Sequence, residues 1–168
     1  MAQTLTSKAT SINKVKLPAV FRKACFRSDV ILDYGCGKYT DHIRSHLNGK
    51  EYLPFDPFNQ PDEVNRATHN TINNAIKKRI PVDVVCSNVL NVIDDSGTIR
   101  TIAEGLESLT AATGGTAYIT VYEGNRSGIG KQTGPDQYQR NEPLSSYLRY
   151  FRNATIKNGM IIVSSKKC

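Results

Sequence analysis

The sequence predicts an α/β layered fold built on a mainly parallel sheet. Short apolar stretches at residues 30–32, 82–86 and 116–122 alternate with segments of helical periodicity, as strands and crossover helices do. The first stretch runs directly into an acid and a glycine-rich turn, Asp33-Tyr34-Gly35-Cys36-Gly37. Near the end, Asn158-Gly159 separates two strand-like segments, a strong hairpin signal. A chain of 168 residues, 39% hydrophobic and 22% charged, is sized and composed for one soluble domain spanning residues 1–168.

The elements follow in order. Residues 1–13, rich in Ser and Thr, read as a mobile arm. Residues 17–27 put Leu17, Val20, Phe21 and Ala24 at helical spacing, a short amphipathic helix. Val30, Ile31 and Leu32 are apolar on both faces, as a central parallel strand requires. Thr40 can cap the next helix, Ile43 and Leu47 supply its buried side, and Gly49 closes it. Residues 51–55 read as a second strand ending at Asp56. Residues 57–70, with Pro57, Asn59, Pro61 and Asn65, read as loop, and residues 71–79 as helix.

Residues 82–86 form a third strand, followed by a loop or tight turn over 87–95. Residues 96–112 give the strongest helix, with Ile99, Ile102, Ala103, Leu106 and Leu109 on one stripe until Gly114-Gly115 break it. Residues 116–122 are dense in β-formers. Residues 123–141 lack apolar periodicity and read as a long functional loop. Residues 143–152 read as a helix with Leu144, Tyr147, Leu148 and Phe151 on one side.

Composition narrows the function classes. No apolar run approaches the roughly 20 residues that span a bilayer, and the first residues carry no apolar signal core, so no membrane partner and a cytoplasmic setting are expected. The four cysteines lack a CxxC pair, which argues against a disulfide framework or zinc knuckle. His42 and His46 are four apart on a helix without an evident third ligand, so no metal is expected. The net charge of +7 divides as +5 over residues 1–29, −3 over 30–122 and +5 over 123–168. Two basic ends around a slightly acidic centre suit a polyanionic partner such as nucleic acid.

Three motifs carry chemistry. Glycines at Gly35 and Gly37 let a ligand approach the backbone, and Asp33 at the strand end can receive a cationic group such as an ammonium. The third glycine of a dinucleotide fingerprint is absent, since Gly37 is followed by Lys38-Tyr39-Thr40, and no Tyr-x-x-x-Lys pair occurs. Both facts argue against a nicotinamide-dependent reductase. Asp56 lies 23 residues beyond Asp33, the spacing of an acid that accepts ribose hydroxyls in nucleotide-binding α/β folds. Residues 83–92 place Ser87, Asn88 and Asn91 beyond a strand end, where such sheets bind ligands.

Together these motifs resemble the class I S-adenosylmethionine-dependent methyltransferases, over roughly residues 17–122. Asp33-x-Gly35-x-Gly37 resembles motif I of that family, Asp56 its motif II acid, and residues 83–92 its motif IV. The combination VILDYGCG, FDPF, SNVLNVIDD and VYEGNRSGIGKQT with YQRN is similar to a bacterial and phage group of small methyltransferases, including a type associated with DNA phosphorothioation.

The resemblance implies a Rossmann-like three-layer sandwich and S-adenosylmethionine as cofactor. It implies that Gly35 and Gly37 line the methionine moiety, Asp56 holds the ribose and Phe58 covers the adenine. Asp33, Cys36, Pro57, Ser87, Asn88 and Val89 complete the implied cofactor set, with Cys36 serving as a small packing residue rather than a nucleophile. Only 27 residues separate Asp56 from Asp83, so the sheet is expected to be reduced around the family's third strand. Residues 83–92 lack the Asn-Pro-Pro-Tyr or Asp-Pro-Pro-Tyr signature of many DNA amino-methyltransferases, and no Pro-Cys nucleophile is present.

Methyl transfer is an in-line displacement that positioning alone can accelerate. Where a base or orienting group is needed, Asn88, Tyr122 and Glu123 lie at strand ends facing the same crevice. Arg126, Lys131, Tyr138 and Arg140, basic groups interleaved with an aromatic, suit phosphate contact and base stacking. The expected activity is therefore methyl transfer to a nucleic acid or other nucleobase-containing acceptor. The competing expectation is a protein of the same fold that binds the cofactor or a partner without transfer.

Overall fold

The computed structural model describes residues 16–135 and 137–164. The expected arm at 1–13 lies outside them. A six-stranded sheet carries the fold, with strands β1 Val30–Tyr34, β2 Glu51–Phe55, β3 Val82–Ser87, β4 Thr116–Thr120, β7 Ala154–Lys157 and β8 Met160–Ser164 in the order β2-β1-β3-β4-β8-β7. The first four run parallel, while β8 pairs antiparallel with β4 and with β7. Asn158 and Gly159 both take positive φ in the β7–β8 turn, the backbone a tight hairpin needs.

Alternation along the strands sorts side chains onto two faces. Val30, Leu32, Val82, Val84, Cys86, Ala117, Ile119, Ile161 and Val163 share one cluster. Helix α4 Ser96–Thr113 buries Ile99, Ala103 and Leu106 in it, and α3 Asp62–Lys78 contributes Ala75. Ile31, Val85, Tyr118 and Met160 face the other way, under Val20 and Phe21 of α1 Ala19–Lys23 and Ile43 of α2 Asp41–His46. Helices therefore cover both faces, and neither α1 nor α2 is long enough to be stable without that packing.

The chain leaves β1 to form β2 on one side, then returns through α3 to place β3 on the other. Order reverses between β1 and β3, the point where open parallel sheets open a crevice beyond their carboxyl ends. A single helix joins β2 to β3, and β2 ends the sheet among the described residues.

Several expectations are corrected. Residues 57–70 are not all loop, because α3 begins at Asp62. Its polar residues read as loop but serve as struts. Asn65 Oδ1 accepts the Asp56 N–H at 2.9 Å and its Nδ2 donates to the Asp56 carbonyl at 3.0 Å, while Thr68 Oγ1 donates to the Pro54 carbonyl at 2.7 Å. The first helix spans five residues instead of 17–27. Residues 123–141 hold a small hairpin, β5 Lys131–Gly134 with β6 Gln137–Gln139. The segment Leu144–Tyr150 is a 3₁₀ helix: Leu144, Tyr147 and Tyr150 are buried at every third position, the period of that helix.

Asp83 organises the end of the sheet opposite the crevice. Its carboxylate accepts the N–H groups of Arg27 at 2.8 Å, Ser28 at 2.9 Å and Thr116 at 2.8 Å, and the residue is 1% exposed. It thus ties the segment entering β1 to the start of β4. Asp83→Ala should orphan three backbone donors and lower stability by on the order of 3 kcal/mol, read as a reduced urea midpoint. A change within about 0.5 kcal/mol would show that the strut is dispensable.

Candidate functional site

Two cavities, each of about 540–560 Å³, open at the carboxyl ends of the parallel strands. Gly35, Asn88 and Val92 line both, so they form one cleft pinched at the switch between β1 and β3. Each is within the range of small-molecule sites.

The turn after β1 makes the pinch. Gly35 and Gly37 have φ of 77° and 73°, a region open to glycine at little cost. The Gly35 N–H donates to the Phe55 carbonyl at 2.7 Å, which fastens the turn to β2. A Cβ on Gly35 would sit 2.3 Å from Val89 Cγ2. The backbone thus comes as close to the β3 side as the fold allows. Across the pinch, Asn88 also has positive φ, 58°, held by its N–H bond to the Thr120 carbonyl at 2.8 Å.

One side, the Phe58 chamber, is lined by Tyr34, Asp56, Pro57, Phe58, Val89, Val92, Ile93 and Ile102 with the start of α4. Phe58 is 47% exposed and presents a flat ring at its mouth. Asp56 is buried and its carboxylate accepts four donors: the Gly37 N–H at 2.9 Å, the Phe58 N–H at 2.9 Å, the Asn59 N–H at 3.0 Å and Asn59 Nδ2 at 3.1 Å. Four donors fill the lone-pair capacity of a carboxylate. A diol reaching Asp56 must therefore displace the Asn59 amide, the one donor of the four that belongs to a side chain able to rotate.

The other side, the Asp33 chamber, is lined by Asp33, Cys36, His42, Ser87, Asn91 and Gln139, with Lys16, Arg22 and Tyr122 also on its wall. Asp33 is 3% exposed and accepts the Tyr52 hydroxyl at 2.7 Å. Burial pushes its carboxyl up to about 7, against the Tyr52 hydrogen bond, which favours ionisation, and with a smaller push from Asp56. The same burial lifts the thiols of Cys36 and Cys86, with Asp33 adding to both shifts. Neither sulfur is a ready thiolate, in keeping with a packing role for Cys36.

The expected cofactor residues Asp33, Gly35, Cys36, Gly37, Asp56, Pro57, Phe58, Ser87, Asn88 and Val89 all line this cleft. The expected catalytic residues divide. Asn88 lies at the pinch and Tyr122, 65% exposed, at the wall of the Asp33 chamber. Glu123 lines a separate cavity, where it accepts the Leu144 N–H at 2.6 Å and pairs with Arg126. The Leu144 bond, with help from Arg126, holds its carboxyl below the ordinary range, which makes it a turn strut and a poor proton acceptor.

The expected substrate residues lie outside both chambers. Arg126 is exposed and paired with Glu123, and Lys131 is exposed on β5. Tyr138 is half-buried, its hydroxyl packed over Gly130. Arg140 is a correction. It is 6% exposed and its guanidinium bonds the Ile93 and Asp94 carbonyls, Ser96, Glu142 and Tyr150, so it holds residues 91–96 in place and has no face left for a phosphate. Sequence reasoning missed Asn91 and Gln139 as a pair and missed Lys16 and Arg22. Gln139 sits beside the expected Tyr138 on a strand, so alternation sends one of the two toward the cleft and the other away.

Among the described residues no group of three or more His, Cys, Asp or Glu could hold a metal ion, and no helix is long and apolar enough to cross a membrane. The chain matches no protein-family model and no curated protein at a significant level of similarity.

The raised Asp33 carboxyl makes stability pH-dependent. Its folded value of about 7 exceeds the ordinary 3.8, so its protonated form favours the fold. That contribution is complete below about pH 4, falls as pH rises, and is gone above about pH 7. Asp33→Asn keeps an acceptor for Tyr52 without the titration. The variant should gain on the wild type in urea midpoint between pH 5 and pH 8. A constant difference across that range would contradict the assignment.

Proposed function

We propose that the cleft binds S-adenosylmethionine and that the protein transfers its methyl group to a nucleobase-containing acceptor. One observation carries this reading. Two chambers of different chemistry meet over a glycine backbone at the switch point of a parallel sheet. The Phe58 chamber offers an aromatic face, aliphatic walls and a buried carboxylate, which suit a purine nucleoside. The Asp33 chamber offers a buried carboxyl and, elsewhere on its wall, exposed Lys16 and Arg22, which suit the ammonium and carboxylate of an amino acid. A ligand joining the two must pass Gly35, where there is room for backbone but not for a Cβ.

The residues fit the cofactor without supplying every contact of the family. Gly35, Gly37 and Asp33 would hold the amino-acid end, Phe58, Val89 and Ile102 would flank the adenine, and Asp56 would meet the ribose once Asn59 rotates away. When bound, the cofactor supplies a sulfonium methyl, an electrophile that needs an aligned acceptor more than an acid or a base. The chain's part is then positional. Asn88 is fixed at the pinch by its Thr120 bond, and Tyr122 gives the acceptor side an exposed aromatic face. The anchoring of Glu123 makes that residue a poor general base, consistent with an acceptor that is already nucleophilic.

Calorimetry with S-adenosylhomocysteine should give one-to-one binding. Gly35→Ala should weaken it at least tenfold, because the new methyl needs Val89 to move and φ of 77° is strained for alanine. Affinity should rise between pH 6 and pH 8 as Asp33 ionises to face the ligand ammonium, with a proton released on binding below about pH 7, and Asp33→Asn should abolish this dependence. Absence of binding to both the sulfonium and its thioether product would overturn the proposal. Binding without transfer of labelled methyl to single-stranded DNA, RNA or nucleotides would instead support the non-catalytic reading of the same cleft.

A further inference from the structure

A residue on the wall of the Asp33 chamber carries a buried acceptor that no described residue satisfies. Asn91 lines the chamber and is 2% exposed. Its Nδ2 donates to Gln139 Oε1 at 3.1 Å, and Gln139 Nε2 donates to the Tyr122 carbonyl at 2.9 Å. A carbonyl only accepts, so Tyr122 dictates which end of the Gln139 amide faces it. Gln139 must then offer its oxygen to Asn91, and Asn91 must answer with its nitrogen. The relay fixes both amides from the backbone outward. What remains is Asn91 Oδ1, buried and without a hydrogen-bond partner among the described residues.

The position is rigid as well as oriented. The Asn91 carbonyl accepts the Arg140 N–H at 2.9 Å, and the buried Arg140 guanidinium clamps the carbonyls of Ile93 and Asp94. Buried acceptors left unmet are rare and costly, and a ligand that brings an N–H relieves that cost. The other features of the chamber describe what carries the N–H. Tyr122 is 65% exposed on its wall, a stacking face for a base. Exposed Lys16 and Arg22 line the same cavity and carry one positive charge more than a single cofactor carboxylate uses, a surplus that suits phosphate.

We propose that the Asp33 chamber admits a nucleobase bearing an exocyclic amino group, and that Asn91 Oδ1 selects it by accepting one of its N–H bonds. This rests on the proposed cofactor cleft only for placing the base beside the methyl donor; the selection itself is a property of the Asn91–Gln139–Tyr122 relay. A carbonyl in place of the amine would bring acceptor against acceptor, and the relay prevents Asn91 from rotating to donate instead. The chamber therefore discriminates cytosine from uracil, bases of similar shape that differ at this edge in an amine against a carbonyl.

The test uses ten-residue single-stranded oligodeoxycytidylate and oligodeoxyuridylate at pH 8, with and without saturating S-adenosylhomocysteine, read by fluorescence anisotropy. The wild type should bind the cytosine strand at least tenfold more tightly. Asn91→Leu should reduce that ratio to within about twofold while keeping a single cooperative urea transition, which reports an intact fold. Gln139→Leu frees the Asn91 amide and should raise affinity for the uracil strand, a gain that misfolding cannot produce.

Equal binding of the two strands by the wild type, or a ratio unchanged in Asn91→Leu, would overturn the proposal. So would a tenfold loss of S-adenosylhomocysteine affinity in Asn91→Leu with the strand ratio intact, since Oδ1 would then serve the cofactor ammonium. Amine selection in a protein that binds no S-adenosylhomocysteine would uphold this inference and overturn the cofactor reading alone.

Discussion

The Asp56 carboxylate holds the candidate site in register. It sits just beyond the end of β2 and takes an N–H from the glycine turn after β1, two from the backbone of residues 58–59 and one from the Asn59 side chain. Charge-assisted bonds of this kind in a buried setting are among the stronger local constraints available to a loop. The consequences spread outward. Gly37 is pulled toward the 56–60 segment, whose Gln60 Nε2 donates back to the Gly37 carbonyl. Asn65 and Thr68 then lock the first two turns of α3 onto the end of β2. Among the described residues the sheet ends at β2, and this network gives the Phe58 chamber a well-defined wall at that edge.

The same carboxylate shapes the electrostatics. Asp33 and Asp56 lie close enough in a poorly solvated pocket for Asp56 to raise Asp33, and both raise Tyr34 or Cys36 in turn. Burial is the largest cause at each of these groups. An interior that opposes ionisation of its own acids is one that rewards an incoming cation. On the proposed reading the Asp33 chamber receives the cationic end of the ligand, whereas the positive charge of Lys16 and Arg22 is exposed. Attraction for the anionic parts of a partner and for a cationic ligand group are in this way separated by depth.

The strands and the position of the cleft were legible because they rest on short-range signals. Val30, Ile31 and Leu32 are apolar on both faces, and Asp33, Gly35 and Gly37 follow at a spacing that only a turn beside a ligand or a close backbone contact requires. Asn158-Gly159 likewise announced its hairpin. What was hidden depended on partners far along the chain. Asn65 and Thr68 looked like loop residues until β2 gave them carbonyls to bond. Leu144, Tyr147 and Tyr150 obey a three-residue period easily taken for 3.6 over so short a span. Arg140 carries the charge of a phosphate ligand, but its five-fold capture by residues 93–96, 142 and 150 is a tertiary event with no local signature. Asn91 and Gln139 are 48 positions apart, so their relay could only appear in three dimensions.

The central claim is that one ligand occupies both chambers across Gly35. The most direct measurement is a crystal structure of the protein with S-adenosylhomocysteine. The account predicts the adenine beside Phe58 and Ile102, the ribose at Asp56 with the Asn59 amide turned away, and the ammonium within hydrogen-bonding reach of Asp33. A ligand confined to one chamber, or seated with its adenine against Asp33, would contradict it.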